Sequence, residues 1–334
     1  MSFRVAIVGT GAFAREHVLA LNAVKGVEVA FVAGTDLGRA ASIASLAPGA
    51  RATTDIAAAV NDSDVDAVDV CNATPDHKRW VIAAGRAGKA VHVDKPAALT
   101  VADLDEMIAA TEGAGTSLMV GQTVRFQPVI ADLFASIQAG DIGDPKLLHV
   151  SWYTGHVWPN GWRGWQLDTN RSGGHPVHNG THSIDLAVWL MNSKPVEVFA
   201  RQFATFAAEM PMPDSFQVQL RFENGALATL ELCYALRQPG EFLRRVMVAG
   251  SQGSLLHSSE DDPGLHSPGH PVAPASIEGA LTQQLSHWVR AAQGREPFIV
   301  TTTQARVALA TAVAAQQSLE RGTPIAIDHT AGAL

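Results

Sequence analysis

The sequence predicts a two-part α/β protein: a doubly wound parallel sheet, then an α+β domain on a large open, mostly antiparallel sheet. Three observations predict it. The apolar run Val5-Ala6-Ile7-Val8 ends in Gly9-Thr10-Gly11-Ala12-Phe13-Ala14. Apolar strand-like runs then alternate with helical ones as far as about Gly121. Beyond that point, runs such as Gln217-Val218-Gln219-Leu220-Arg221-Phe222 alternate polar and apolar residues. The first rhythm belongs to parallel sheets covered on both faces, the second to sheets covered on one.

The elements follow in order. After the first strand, Arg15 to Val24 reads as a helix and Val27 to Val32 as strand two. Arg39 to Leu46 is helical, and Val65 to Val70 is a strand that ends at Ala73-Thr74-Pro75. Val81 to Ala87 is helical, with Gly88 as the residue past its end. Ala90 to Val93 is a strand running into Asp94-Lys95-Pro96. Val101 to Ala110 is a helix capped by Thr100, and Ser117 to Val120 is a strand. Pro128 to Gln138 reads as a helix. Strands are expected at Leu147 to Thr154, Val196 to Thr205, Phe216 to Phe222, Leu227 to Tyr234 and Phe242 to Val248. Asn224-Gly225 marks a hairpin. Helices over Ile277 to Ala292 and Thr303 to Arg321 close the pattern, and Asp261 to Ala275, rich in Pro, Gly and His, reads as an exposed loop. The expected domains are residues 1–122 and 123–334.

Composition narrows the function. The 334 residues suit two domains, and 47% apolar residues supply a sizeable core. A formal net charge of -8 without a basic run argues against nucleic acid. No stretch of about 18 uninterrupted apolar residues exists, so no membrane span is expected. A first strand at about Phe3 leaves no room for a signal peptide. Two cysteines, Cys71 and Cys233, imply no disulfide framework and fit a cytoplasmic location.

Three motifs carry chemistry. A strand that delivers Gly9-x-Gly11-x-x-Ala14 to a helix start lets backbone N–H groups approach a pyrophosphate where the helix dipole favours an anion. Lys95 stands at the carboxyl end of a parallel strand, where such sheets bind ligands, and Pro96 holds it extended. In Gly173-Gly174-His175-Pro176-Val177-His178-Asn179-Gly180-Thr181-His182-Ser183-Ile184-Asp185, the residues His178, His182 and Asp185 fall at helical spacing on one face. A histidine near substrate can take a hydroxyl proton, because its pKa lies near neutrality.

Together these motifs resemble the Gfo/Idh/MocA family of NAD(P)-dependent oxidoreductases over essentially the whole chain. The resemblance rests on Gly9-x-Gly11-x-x-Ala14, on Ala73-Thr74-Pro75 followed by His77, on Asp94-Lys95-Pro96 as a form of the family's Glu-Lys-Pro signature, and on Gly180-x-His182-x-x-Asp185. It implies a Rossmann domain, a second α/β domain whose open sheet forms a homodimer or homotetramer, and hydride transfer between nicotinamide and a sugar, polyol or related molecule. Lys95 would polarise the reacting oxygen and His182 exchange its proton. The implied dinucleotide set is Gly9, Thr10, Gly11, Ala12, Phe13, Ala14, Thr35, Asp36, Thr74, Pro75, His77, Asp94, Lys95 and Gln122.

The chain departs from the family twice. His178 stands where an aspartate is usual, and is kept as a catalytic-site residue with an altered role. Gly34 stands where the ribose-binding carboxylate is usual; Asp36 could serve NAD instead, or Thr35 with Arg39 the 2′-phosphate of NADP. Both cofactors stay open, and the lack of an arginine directly after the turn inclines the reading to NAD. Gln122 and Arg125 either touch nicotinamide or substrate, or brace a hinge. Trp162 and Arg163, in the tryptophan-rich stretch Trp158 to Trp165, either stack on a ligand, pack a loop against the sheet or face a partner subunit. Asp185 either orients His182 or is structural, and Lys89 reads as a solvated charge. A redox-neutral NAD-dependent glycosidase and a non-catalytic dinucleotide-binding regulator are the rival functions. A metal site of His175, His178 and His182 lacks a usual zinc shell, so no metal is expected.

Overall fold

The computed structural model describes residues 2–155, 164–205, 210–236, 242–259 and 277–329. The stretch holding Trp162 and Arg163, and the expected loop Asp261 to Ala275, lie outside the described residues. In chain order the elements begin β1 (Phe3–Val8), α1 (Ala12–Asn22), β2 (Val27–Ala33), α2 (Leu37–Ala44), β3 (Arg51–Thr53), α3 (Ile56–Asn61), β4 (Ala67–Val70), α4 (His77–Arg86), β5 (Ala90–Asp94), α5 (Val101–Gly113) and β6 (Leu118–Gly121). There follow α6 (Pro128–Ala139), β7 (Pro145–Gly155), α7 (Thr169–Ser172), α8 (His175–His178), α9 (Thr181–Met191), β8 (Pro195–Phe203), β9 (Ser215–Phe222), β10 (Leu227–Leu236), β11 (Phe242–Gly250) and β12 (Ser254–Ser258). The last are α10 (Ile277–Ala292), α11 (Thr302–Arg321) and β13 (Ile325–Ala326).

The chain divides into two compact units, and the first is not contiguous. It joins the residues up to Phe126 to Ile277–Arg306, while Gln127–Ser276 and Val307–Ala331 form the second. Sequence reading placed a single division after residue 122. The difference comes from α10, which packs on α1 and buries Trp288 at 0% exposure.

The first unit's sheet runs β3-β2-β1-β4-β5-β6, with every pair parallel. Strand order reverses between β1 and β4, which makes the carboxyl ends of those strands the place for a ligand. Val5 to Val8 are wholly buried, as a central parallel strand requires. The expected cap of α5 is present: Asp103 N donates to Thr100 Oγ1 at 3.1 Å. Lys89, read as a solvated charge, instead donates to the carbonyls of Asp62 and Val65 and closes the turn before β4.

The second unit's sheet runs β12-β11-β7-β10-β9-β8-β13. Only β7 and β10 pair in parallel; the other pairs are antiparallel. The hairpin at Asn224-Gly225 forms, with Gly225 at φ +78 and Asn224 Oδ1 accepting from Ala226 N at 3.1 Å. β9 alternates buried and exposed residues along Gln217 to Phe222, as its pattern predicts. Sequence reading missed β3, α3, α7, β12 and β13, which are short and owe their place to neighbours. Among the described residues no helix is long and apolar enough to cross a membrane.

Candidate active site

In the first unit, the glycine turn is shaped by what a side chain would strike. Gly9 lies at φ +148, and a Cβ there would sit 2.7 Å from the Cys71 carbonyl oxygen. Gly11 is the residue before α1, extended at φ -83 and ψ 176, with no side-chain cap. A Cβ on Gly11 would meet nothing within 4 Å. That space faces the first turn of α1, whose leading N–H groups have no acceptor within the helix. The helix begins at Ala12, three residues earlier than the sequence suggested. Gly11 and Ala12 are exposed, Thr10 and Phe13 half-buried, and Ala14 is wholly buried, so only a small residue fits there.

The departure at Gly34 has a steric companion. A Cβ on Gly34 would fall 2.4 Å from Thr10 Cγ2. The Thr10 methyl thus fills the place from which a side chain at 34 would start. Thr35 and Asp36 are exposed. Asp36 caps α2 by accepting from Arg39 N at 2.9 Å, an interaction worth about 1 kcal/mol. Its other oxygen lies 3.7 Å from Arg39 Nε.

At the ends of β4 and β5 the backbone is clamped by one imidazole. His77, only 1% exposed, sets Nε2 at 3.1 Å from Asn72 O. Its Nδ1 lies 3.1 Å from Pro96 O and 3.2 Å from Ala97 O. Burial lowers its pKa, opposed by Asp94 and these carbonyls. His77 therefore ties the Thr74–Pro75 turn to the Lys95–Pro96 segment, which is a bracing place rather than an open ligand contact. Thr74 is buried and Pro75 exposed. Asp94 Oδ1 accepts from Lys95 N at 2.8 Å. Burial lowers the Lys95 amine pKa, and the Asp94 charge opposes it.

Among the described residues, the buried amide oxygens Asn72 Oδ1 and Gln122 Oε1 near these strand ends have no hydrogen-bond partner. Gln122 was expected from sequence. Asn72 was missed, although its position directly after a buried strand and before Ala73-Thr74-Pro75 is a signal for it. Together with the open space over Gly11, these acceptors fit a dinucleotide that brings an anionic pyrophosphate and a carboxamide. Arg125 is 1% exposed and donates to Ile299 O at 3.1 Å and Gln304 Oε1 at 2.6 Å. These bonds tie it to the chain that returns through Ile299 and Gln304.

In the second unit, Gly173 and Gly174 turn the chain at φ +78 and +85. The histidines do not share one helix. His178 ends α8, Asn179 and Gly180 interrupt, and His182 lies in α9. The break falls there rather than at Pro176, which sits inside the first turn of α8 where its missing N–H costs nothing. Gly180 is obligatory, since a Cβ would lie 2.9 Å from both Phe216 Cζ and Pro176 O.

His178 and His182 are half-buried among tryptophans. Trp165 meets His178 edge-on at 5.2 Å, and Trp152 lies parallel to His182 at 6.0 Å. Arg244, buried, stands 5.2 Å over the Trp152 ring and donates to Gln127 Oε1. Trp152 and Arg244 are cross-strand partners on β7 and β11, so they share a sheet face. Sequence reading placed both in strands and gave neither a role. Asp185 is 1% exposed, one helical turn beyond His182. His175 belongs to the core: it accepts from Asn179 Nδ2 at 2.9 Å and forms a cluster of three adjacent rings with Phe216 and Tyr234. Burial pushes its pKa down to about 4.

Residues 3–122 match the family described as "Oxidoreductase family, NAD-binding Rossmann fold". Residues 135–327 match "Oxidoreductase family, C-terminal alpha/beta domain". The chain is 31% identical over 309 residues to inositol 2-dehydrogenase 2 of Paenarthrobacter aurescens, covering 89% of each. It is 30% identical over 263 residues to D-apiose dehydrogenase of Paraburkholderia graminis, covering 77% of this chain and 68% of that protein. Its fold is similar to a probable dehydrogenase from Thermotoga maritima, at a TM-score of 0.85 and 25% identity, covering 97% of this chain and 99% of that one.

Proposed function

Because the chain belongs to the Gfo/Idh/MocA oxidoreductase family, by its NAD-binding and its C-terminal α/β parts alike, we propose that it oxidises a CH–OH carbon of a polyol or sugar, or reduces the corresponding carbonyl. The observation that carries this reading is an amine and a glycine turn on one edge of one parallel sheet: Lys95 directly after β5 and Gly9 directly after β1. The inositol and apiose dehydrogenases among its relatives support the substrate class.

Nicotinamide, when bound, accepts or returns a hydride; the chain supplies everything else. The N–H groups of Ala12 and Phe13 would hold the pyrophosphate at the start of α1. Thr35 and Asp36 meet the adenosine ribose, and Thr10 beside Gly34 shapes that approach. Asp36 accepts ribose hydroxyls, which favours NAD over NADP. Thr74, Pro75 and Gln122 would border the nicotinamide end, where Asn72 Oδ1 and Gln122 Oε1 would accept hydrogen bonds from the carboxamide. Lys95 donates to the reacting oxygen and stabilises its negative charge, and its lowered pKa lets it release a proton more readily than an exposed lysine does. His182 takes the hydroxyl proton at an imidazole nitrogen. His178 hydrogen-bonds a substrate hydroxyl in place of a carboxylate, and Asp185 orients His182.

The outer face of the second sheet supports self-association. Leu147 and Leu227, 43% and 51% exposed, face each other across β7 and β10, and Leu256 is 65% exposed on β12. A homodimer or homotetramer would cover them. Light scattering of Leu227→Asp against the unaltered chain reads this directly.

The deciding experiment is a fluorescence titration with NADH and NADPH, followed by a panel of polyols, sugars and sugar acids read at the nicotinamide absorbance. Stoichiometric cofactor turnover with a polyol or sugar is expected. Sugar cleavage without cofactor turnover would instead identify a glycosidase, and binding without turnover a regulator.

A further inference from the structure

One face of the second unit's sheet holds a cation and a row of rings that ends on His182, and the roles above use only that last member. Trp152 on β7 and Arg244 on β11 are directly opposed across two antiparallel strands. Phe242, two residues before Arg244, shares their face. Arg244 is 2% exposed, whereas Trp152, Phe242 and His182 are half-buried. The helix that carries His182, α9, packs on β7.

Every link of the row is close. The Arg244 guanidinium lies 5.2 Å over the Trp152 ring and 5.6 Å over the Phe242 ring. Phe242 meets Trp152 edge-on, with 6.0 Å between centroids and 87° between planes. The Trp152 and His182 rings are parallel to within 15°, with centroids 6.0 Å apart. These are the separations of attractive edge-to-face, offset-stacked and cation–π pairs. Arg244 is itself held twice. Its Nη1 donates to Gln127 Oε1 at 2.5 Å, and its backbone N donates to Ser259 Oγ at 2.8 Å.

A buried guanidinium is costly to desolvate, and an apolar side chain of its length would fill the same space more cheaply. What the guanidinium adds over such a filler is a flat cation whose plane a hydrogen bond fixes. Laid on the indole, it fixes the plane of the indole in turn. We infer that Arg244 is a positioning residue for His182: it holds Trp152 flat beside the imidazole, so that the ring presents its nitrogen in one direction. This rests on the role proposed for His182 above.

A stacked ring and a hydrogen bond do different work on an imidazole. A hydrogen bond of the kind Asp185 would give fixes one nitrogen and lets the ring turn about that contact. The indole fixes the plane. His178 brings no carboxylate to the task, and its own ring is met edge-on by Trp165.

The test follows the row link by link on the full chain. Arg244→Met keeps the length and removes the charge, while Arg244→Lys keeps a cation over the indole. With Met, kcat falls about 10- to 100-fold, while NADH affinity and the KM of the panel's best polyol or sugar stay within about threefold. With Lys, kcat stays within about threefold of the unaltered enzyme. Trp152→Leu matches the Met variant. The double variant Arg244→Met/Trp152→Leu is no slower than Trp152→Leu alone, because both changes cut one path. Carbethoxylation of His182 by diethyl pyrocarbonate, read by peptide mass spectrometry, runs about threefold faster or more in the Met and Leu variants, since a ring no longer held meets the reagent more often.

Equal losses with Met and Lys overturn the inference, as do additive losses in the double variant or an unchanged carbethoxylation rate. A lowered urea midpoint with kcat and His182 reactivity unchanged is packing alone and overturns it too. If Arg244→Met does not fold, Trp152→Leu against Trp152→Phe decides: Phe keeps a ring face and the slow His182 rate, and equal rates in the two sink the inference. An unaltered protein that turns over no polyol or sugar removes the proposed function alone, because carbethoxylation is read without cofactor or substrate.

Discussion

The two units present chemistry in opposite ways. The first offers backbone and strand ends: Gly9 pressed against the Cys71 carbonyl, Gly11 left open, Lys95 fixed by Asp94, and the segment after it tied down by His77. The second offers side chains set among rings: His178 beside Trp165 and His182 beside Trp152. Backbone geometry dictates residue type, because only glycine tolerates the close approach at Gly9. A ring-lined sheet face tolerates many residues, so it can change its ligand without changing its fold. On the proposed reading, the first mode serves a constant cofactor and the second a variable substrate.

The sharpest way to break this comparison is Lys95→Ala. Turnover should fall by about 10⁴ or more while NADH fluorescence titration stays within about threefold, because the amine acts on the reacting oxygen and not on the dinucleotide. Retained turnover would remove Lys95 from the chemistry. His182→Ala, in the second unit, should lower kcat by about 10² to 10⁴, the usual contribution of a positioned base, with NADH binding unchanged. Gly11→Val should cost about 10²-fold in NADH affinity by filling the space over α1, and equal titration curves would contradict the turn assignment.

A milder test sets buried histidines of the two units against each other by pH. The folded pKa of His175 is about 4, below its unfolded value. The unfolded chain therefore binds a proton that the folded chain refuses. Stability falls as pH drops from about 6.5 toward 4, by at most about 1.4 kcal/mol per unit. His17 is raised instead. Its contribution is complete below about pH 6.5 and is lost as pH rises through its folded value. In urea melts, His175→Phe should flatten the acid slope, and the His17→Gln/Asp69→Asn pair the slope above neutrality. Identical pH profiles for both variants would erase the contrast.

Legibility followed the same division. Gly9-x-Gly11-x-x-Ala14, the Thr100 cap and the Asn224-Gly225 hairpin were readable, because each demands particular residues at fixed spacing. The break between His178 and His182 was not, since Asn179-Gly180 is compatible with a helical spacing until Phe216 and the Pro176 carbonyl close on Gly180. His77 read as a ligand because its burial between two turns is a tertiary fact. Asp69 and His92 did leave a trace: a charged and a polar residue inside otherwise apolar strands, which is costly without partners from elsewhere in the chain.

The return of α10 to the first unit carries a consequence for synthesis. Trp288 and Gln284 complete a core begun at Val5, and nearly the whole of the second unit is translated between them. On a ribosome, the nucleotide-binding half stays unfinished until its partner has left the exit tunnel. A nascent chain stalled before residue 277 should be open to protease at α1, and one stalled well beyond residue 306 should resist.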